Sequence, residues 1–280
     1  MPACRHIEFA CAPGVPPVIA DGIRDHYPDG CRVISLSSAY HALAASSAGA
    51  VRRHNEDAFL LRSADGLWVL SDGMGGHARG DLASRRIVDA LSAACLPVPI
   101  TAVAVQRQLA AAHVDLVATA AALGGGAVVG GTVVVALIHM GLITCLWAGD
   151  SRLYRLRGDR LLQLTRDHSR VQAFIDAGLV TAREARHHPA AHVITRAVGA
   201  PQGLELESIR EPVQPGDLFL LCSDGLTGVV AEDEIAAILA RPPGPDPVVA
   251  LLDLALRRGA PDNVTAVLLR EAEPARPGGT

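Results

Sequence analysis

Apolar positions follow two rhythms along the chain. Short apolar runs bounded by turn residues read as strands at 57–62, 67–71, 132–138, 142–147, 218–222 and 264–269. Longer stretches repeat at helical spacing. Over 81–95, Leu82, Ile87, Leu91 and Ala94 form one stripe; 101–123 is an alanine-rich helix ended by Gly124-Gly125-Gly126. Helices are also expected at 232–240 and from Asp246-Pro247 to a stop at Gly259. Residues 165–197 are polar and rich in Arg and His. There Ser169 with Gln172, and Thr181 with Glu184, carry capping-box spacing and open two short helices; Gly178 closes the first and Pro189 follows the second. Strands and helices arrive in blocks without βαβ alternation, which predicts an α+β fold with antiparallel sheets. Order is expected from Tyr40 onward, with residues 1–40 an extension of unknown role.

The segment 127–148, AVVGGTVVVALIHMGLITCLWA, is long and apolar enough to suggest a membrane span. Its β-branched residues, the turn-like His139-Met140-Gly141, and the polar Gly149-Asp150-Ser151-Arg152 that follows instead predict a hairpin of two buried strands.

Composition narrows the choices. The 280 residues suffice for one large packed domain, and a net charge of −4 points to neither nucleic acid nor an anionic membrane. Arginine is the sole lysine/arginine-type cation, so a P-loop lysine or Schiff-base lysine is excluded. Cys4, Cys11, Cys31, Cys95, Cys145 and Cys222 form no C-x-x-C pair, which reads as reduced thiols in a cytoplasmic protein.

Chemistry is concentrated where apolar runs stop. Asp72 follows one run in LSDGMGGHARGD, and Asp224 follows another in LLCSDG. Asp150 follows a third in LWAGDSR, Asp262 precedes a run in GAPDNV, and Glu56-Asp57 opens one in HNEDAF. Turns favour Asp for local reasons, but ending a strand does not require a carboxylate each time. If the acids converge, each pair at 4 Å costs about 4 kcal/mol at an effective dielectric near 20. The sum, on the order of 10 kcal/mol, rivals a domain's stability, so the site must take up protons or cations. All-oxygen ligands favour Mg²⁺, Mn²⁺ or Ca²⁺. Gly73, Gly75 and Gly76 then let carbonyls and water reach the same ion. Arg52, four residues before Glu56, has the planar fork suited to a phosphate, with Arg53 its local competitor. His54 and His77 could ligate a metal but read sooner as neighbours of the site or surface residues; His113, His139, His187, His188 and His192 read as structural; Met74 as packing.

Eight stretches in order carry a resemblance over roughly residues 45–270: GAVRRHNEDAF, LSDGMGGHARGD, GGTVVVALI, WAGDSRLYRLR, LTRDHSRVQAFIDAGLVTAREARHHP, ITRAVG, CSDGLTG and APDNVTAVLL. The sequence resembles the metal-dependent protein phosphatases of the PPM, or protein phosphatase 2C, group in their bacterial form. The resemblance implies a four-layer α-β-β-α sandwich: two antiparallel sheets flanked by helices, with metals in a cleft at one end. It implies that Asp72 bridges two Mn²⁺ or Mg²⁺ ions and that the Gly73 carbonyl binds one of them. Asp224 and Asp262 would hold the first ion, and Glu56 and Asp57 would serve the second, directly or through water. Asp150 with Asp224 would hold a third ion, Arg52 the phosphate. Residues 165–190 would be a flap inside a 41–272 phosphatase domain, with 273–280 a tail. Met74 stands where eukaryotic members carry a histidine that protonates the leaving group, which hands that role to water.

The activity so implied is hydrolysis of phosphoserine and phosphothreonine in proteins by a metal-activated water, opposing a bacterial serine/threonine kinase. The alternatives are a pseudophosphatase that binds phosphoproteins, and a Ca²⁺-stabilised structural domain, which leaves Arg52 without a role. The stretch from Trp68 to Asp89 looks like phosphatases that accompany type VI secretion and act on a forkhead-associated-domain protein. The expected partners are therefore phosphorylated proteins, met by a monomer.

Overall fold

Hydrophobic alternation on the strands sorts side chains into three cores and so fixes the layers. In the computed structural model, which describes residues 7–10, 32–37, 39–74, 79–92, 96–185, 188–241 and 246–272, two antiparallel sheets stack face to face with helices outside. The first sheet runs β1 (Ile7–Ala10), β2 (Arg32–Leu36), β3 (Tyr40–Ser47), β13 (Val264–Glu271), β12 (Leu218–Cys222), β9 (Arg152–Arg157), β10 (Arg160–Gln163). The second runs β11 (Glu207–Pro212), β8 (Leu142–Ala148), β7 (Val133–His139), β5 (Leu67–Met74), β4 (Asp57–Arg62), with the two-residue β6 (Gly130–Gly131) paired to the end of β5.

Along β5, Trp68 and Leu70 enter the core between the sheets with Phe59, Trp147, Phe219 and Leu221. Leu67 and Val69 point the other way, against α1 (Gly80–Ser92) and α2 (Ala102–Leu123), where they meet Ile87, Leu91, Leu109 and Leu116. Leu220 and Cys222 of β12 face Ile235 of α6 (Glu232–Leu239) and Leu251 of α7 (Pro247–Arg257). Period-two alternation buried on both faces yields the four α-β-β-α layers.

The 127–148 segment folds as the expected hairpin, β7 to β8, turning at Met140 and Gly141, both with positive φ. Among the described residues no helix is long and apolar enough to cross a membrane.

Local signals are realised at the helix ends. Ser169 accepts from the Gln172 N–H at the start of α3 (Arg170–Asp176). Thr181 and Glu184 exchange both capping-box bonds around α4 (Ala182–Ala185). Asp246 caps α7 through Val248 N–H.

Three expectations change. Ordered pairing begins before Tyr40, because β2 adds to β3 from Arg32↔Ala45 to Leu36↔His41 and β1 adds to β2. The 67–71 strand runs on through Asp72 to Met74, because Gly73 and Met74 pair with Gly131 and Gly130. Strands β3, β9, β10 and β11, whose apolar positions are interrupted by Arg, Ser or Glu, complete the sheets. Residues 75–78, 93–95, 186–187 and 273–280, and with them Gly75, Gly76, His77, Cys95 and His187, lie outside the described residues, as do Cys4, Cys11 and Cys31.

Candidate active site

The acids sit at or near strand ends, three of them where the chain crosses from one sheet to the other. Glu56 and Asp57 end the link from β3 to β4, and Asp150 lies in the link from β8 to β9. Asp224 opens α5 (Asp224–Thr227) directly after β12, and Asp262 precedes β13. Asp72, on β5, is the cross-strand partner of Asp57. Like charges directly opposite are unfavourable. Burial is the main reason Asp72 is held well above the ordinary carboxylate range, and the charges of Asp57, Asp224, Asp150 and Asp262 push it further. Asp150 is likewise held well above that range, by burial first and Asp224 next. Burial raises Asp57 to about 7 against two opposing hydrogen bonds, and raises Glu56 despite nearby Arg52. Five aspartates, two on one sheet and three beside the other sheet's strands, thus share one electrostatic environment.

Their oxygens are used unequally. Asp57 Oδ2 accepts from Thr265 Oγ1 at 2.6 Å and Ser223 Oγ at 2.9 Å. Its Oδ1, and Oδ1 of Asp224, are buried with no hydrogen-bond partner. An unsatisfied buried carboxylate oxygen calls for a proton or a cation. Among the described residues, no three His, Cys, Asp or Glu side chains already stand in an ion-holding group. The fit to hard divalent ions rests instead on the donors themselves: orphaned carboxylate oxygens, several buried acids, and no thiolate among them.

Glycine closes the backbone around this edge. A Cβ on Gly73 would stand 2.0 Å from the Gly80 carbonyl oxygen and 2.8 Å from that of Glu56. The room expected beside Gly73 is therefore filled by the start of α1 and the Glu56 link, a packing that any side chain would break. Gly73 N–H donates to the Glu56 carbonyl at 3.1 Å. Thr132 ties the next loops together: its hydroxyl accepts from Asp72 N–H at 3.0 Å and lies 2.7 Å from Ser151 Oγ.

Arg52 stands at the rim, its side chain 56% exposed, with Nη2 2.8 Å from Asp262 Oδ2. The Asp262 hydrogen bond raises its pKa, so it stays charged. Arg53 is also exposed. Asn263 anchors this loop: its Nδ2 donates to the carbonyls of Ala48 and His54, and its Oδ1 accepts from Glu56 N–H at 2.8 Å.

The segment holding α3 and α4 meets the acids at His192. Its two ends meet through the Ser169–Ile194 bridge and the bond from Arg170 N–H to the Val193 carbonyl. His192, expected to be structural, is 76% exposed and brings Nδ1 to 3.4 Å from Asp224 Oδ2. His113 and His188 do serve as backbone acceptors, for Gly199 and Ala190 N–H. Met74 is half-buried beside Gly130.

Sequence reasoning named the acids and Arg52 but passed over Asn263, Thr132, Thr265, Ser223, His168 and His192. Asn263, next to Asp262 in APDNV, was the one with a visible signal.

The model for protein phosphatase 2C matches residues 46–266. The serine/threonine protein phosphatase PstP of Mycobacterium tuberculosis is 35% identical over 234 residues, 80% of this chain. The match spans 44% of that relative's own length. Among solved structures, PppA, a key regulatory component of T6SS in Pseudomonas aeruginosa, superposes with a TM-score of 0.74 at 43% identity, covering 83% of this chain and 98% of that one. The catalytic domain of PstP in complex with two manganese ions superposes with a TM-score of 0.74 at 32% identity, covering 84% and 99%. With a family model over most of its length and these relatives, the chain belongs to the protein phosphatase 2C family.

Proposed function

We propose that the chain hydrolyses phosphoserine and phosphothreonine in proteins, using divalent cations held by its acidic edge. The observation that carries this is the shared environment of Asp57, Asp72, Asp150, Asp224 and Asp262 with Arg52 on its rim. Bound Mn²⁺ or Mg²⁺ supplies water activation and charge neutralisation there. The two manganese ions in PstP support that choice of metal.

In this reading Asp72 would hold both ions and the Gly73 carbonyl one of them. Asp224 and Asp262 would hold the first, Glu56 and Asp57 the second, and Asp150 with Asp224 a third. Asp57 offers Oδ1, since Oδ2 is engaged by Thr265 and Ser223. Arg52 grips phosphoryl oxygens with its planar fork and stabilises charge developing on them. Met74 has no proton to give, so the leaving oxygen draws its proton from water. Cys222, fully buried, takes no part in a covalent step.

The test is turnover of a phosphothreonine peptide with Mn²⁺. Asp72→Ala and Asp224→Ala are expected to lose it by at least about a hundredfold. Full retained turnover would overturn the reading, and phosphopeptide binding without any Mn²⁺-dependent turnover would favour a phosphoprotein-binding module.

For the pathway, the likeness to PppA supports a place in type VI secretion; there the chain would oppose a serine/threonine kinase and act on a forkhead-associated-domain protein. Deleting the gene should then raise phosphothreonine on that scaffold; an unchanged level removes this assignment.

A further inference from the structure

His168 grips the peptide that aims Asp150. Gly149 donates its N–H to His168 Nδ1 at 3.2 Å, and its carbonyl accepts from His168 N–H at 2.9 Å. Gly149 has φ of +112°, and a Cβ there would stand 2.5 Å from the Thr132 side chain. With no side chain of its own, Gly149 depends on these two bonds for its direction, and the next residue is Asp150.

The imidazole is itself held. It is buried and stacks on Trp147, with ring centroids 6.0 Å apart and planes 13° apart. Because Nδ1 accepts, Nε2 carries the proton; it lies 3.2 Å from its acceptor, Glu207 Oε1, and 3.2 Å from Arg196 Nη1. Arg196 Nη1 donates to the same oxygen at 2.8 Å, so Glu207 joins two donors. The His168 carbonyl accepts from Thr195 N–H at 2.7 Å, beside the Ser169–Ile194 bridge that closes the base of the α3–α4 segment. One residue thus connects that base to the Asp150 turn.

We propose that His168 is a positioning residue for Asp150, coupling the base of the α3–α4 segment to the ions that Asp150 serves. The inference rests on the metal reading above. Groups that orient a ligand typically change metal affinity by about 10–100-fold when removed.

Mn²⁺ titration followed by electron paramagnetic resonance tests it. Asp150→Asn first defines the class of bound Mn²⁺ that depends on Asp150. His168→Asn places an amide oxygen near the Nδ1 position and should keep that class close to wild type. His168→Gln shifts the acceptor towards the Nε2 position and should weaken the class about tenfold or more. Glu207→Gln, at a half-buried position on an edge strand, should weaken the same class without unfolding the chain. Melting temperature measured alongside separates positioning from stability. The proposal fails if His168→Gln and Glu207→Gln bind Mn²⁺ as wild type does. It also fails if the Asn and Gln variants lose binding only in step with stability. If Asp150→Asn leaves Mn²⁺ binding unchanged, the metal reading of Asp150 fails first and this inference goes with it.

Discussion

Arg52 and Asp262 are joined at the cleft rim by an ion pair of 2.8 Å, so the cation expected to meet phosphate is held by an acid expected to meet metal. Both side chains are partly exposed, and such a pair is a weak clasp in water. Either partner can be drawn off by a better match: a phosphoryl group for the guanidinium, a divalent ion for the carboxylate.

Removing the arginine therefore separates two affinities. Arg52→Ala should lower kcat/KM for a phosphothreonine peptide about 10–100-fold. Mn²⁺ binding should be unchanged or tighter, because Asp262 loses a competitor. Steady-state kinetics and calorimetric Mn²⁺ titration read the two effects. Weaker Mn²⁺ binding would mean that Arg52 supports the acids instead of competing for one.

The buried acids make metal-free stability depend on pH. Asp57 lies at about 7 in the fold against an ordinary 3.8, and Asp72 and Asp150 are also held well above that value. Between those limits the native chain binds more protons than the unfolded one, so stability falls as pH rises. The melting temperature in a chelator should be highest near the lower limit and decline towards and past neutrality. Millimolar Mn²⁺ should cancel the decline. A flat chelator profile would contradict the crowding of these carboxylates.

Gly73 offers a steric test. Its absent Cβ would overlap two carbonyl oxygens, neither on a flexible side chain. Gly73→Ala should cost about 1–3 kcal/mol, the usual range for forcing atoms into a packed site. Denaturant melts with and without Mn²⁺ would show it, and an unchanged midpoint would place the start of α1 elsewhere.

Cys222 precedes Ser223, a direct partner of Asp57, yet burial pushes its thiol up to about 12. It should resist iodoacetamide at pH 8 in the native protein, and Cys222→Ala should keep near-wild-type turnover. Burial raises the Cys145 thiol as well, so it should behave alike. Rapid native labelling at either position would contradict this packing.

The sequence made the acids legible for a physical reason. A carboxylate at the end of an apolar run is out of place unless something receives it, and five such places in one chain are hard to assign to turns alone. The hairpin at 133–148 was legible because β-branched runs around a two-residue turn are a local signal. What stayed hidden is held by distant partners. Asn263 serves Glu56, Ala48 and His54 across more than two hundred positions. His168 serves Gly149 from the far side of β9 and β10. A polar residue whose role is to orient backbone elsewhere leaves no period to read. The edge strands β10 and β11 were obscure because their exposed positions interrupt the apolar rhythm, and β9 because its arginines do.

The acidic edge draws Asp57 and Asp72 from one sheet, Asp224 and Asp262 from the ends of strands in the other, and Asp150 from a joint between them. Divalent ions held there would rivet the two halves of the sandwich along one seam. Chelation should unzip the molecule from that seam inward, with amide exchange quickening first at the 55–57, 149–151 and 262–264 segments while the opposite end stays shut.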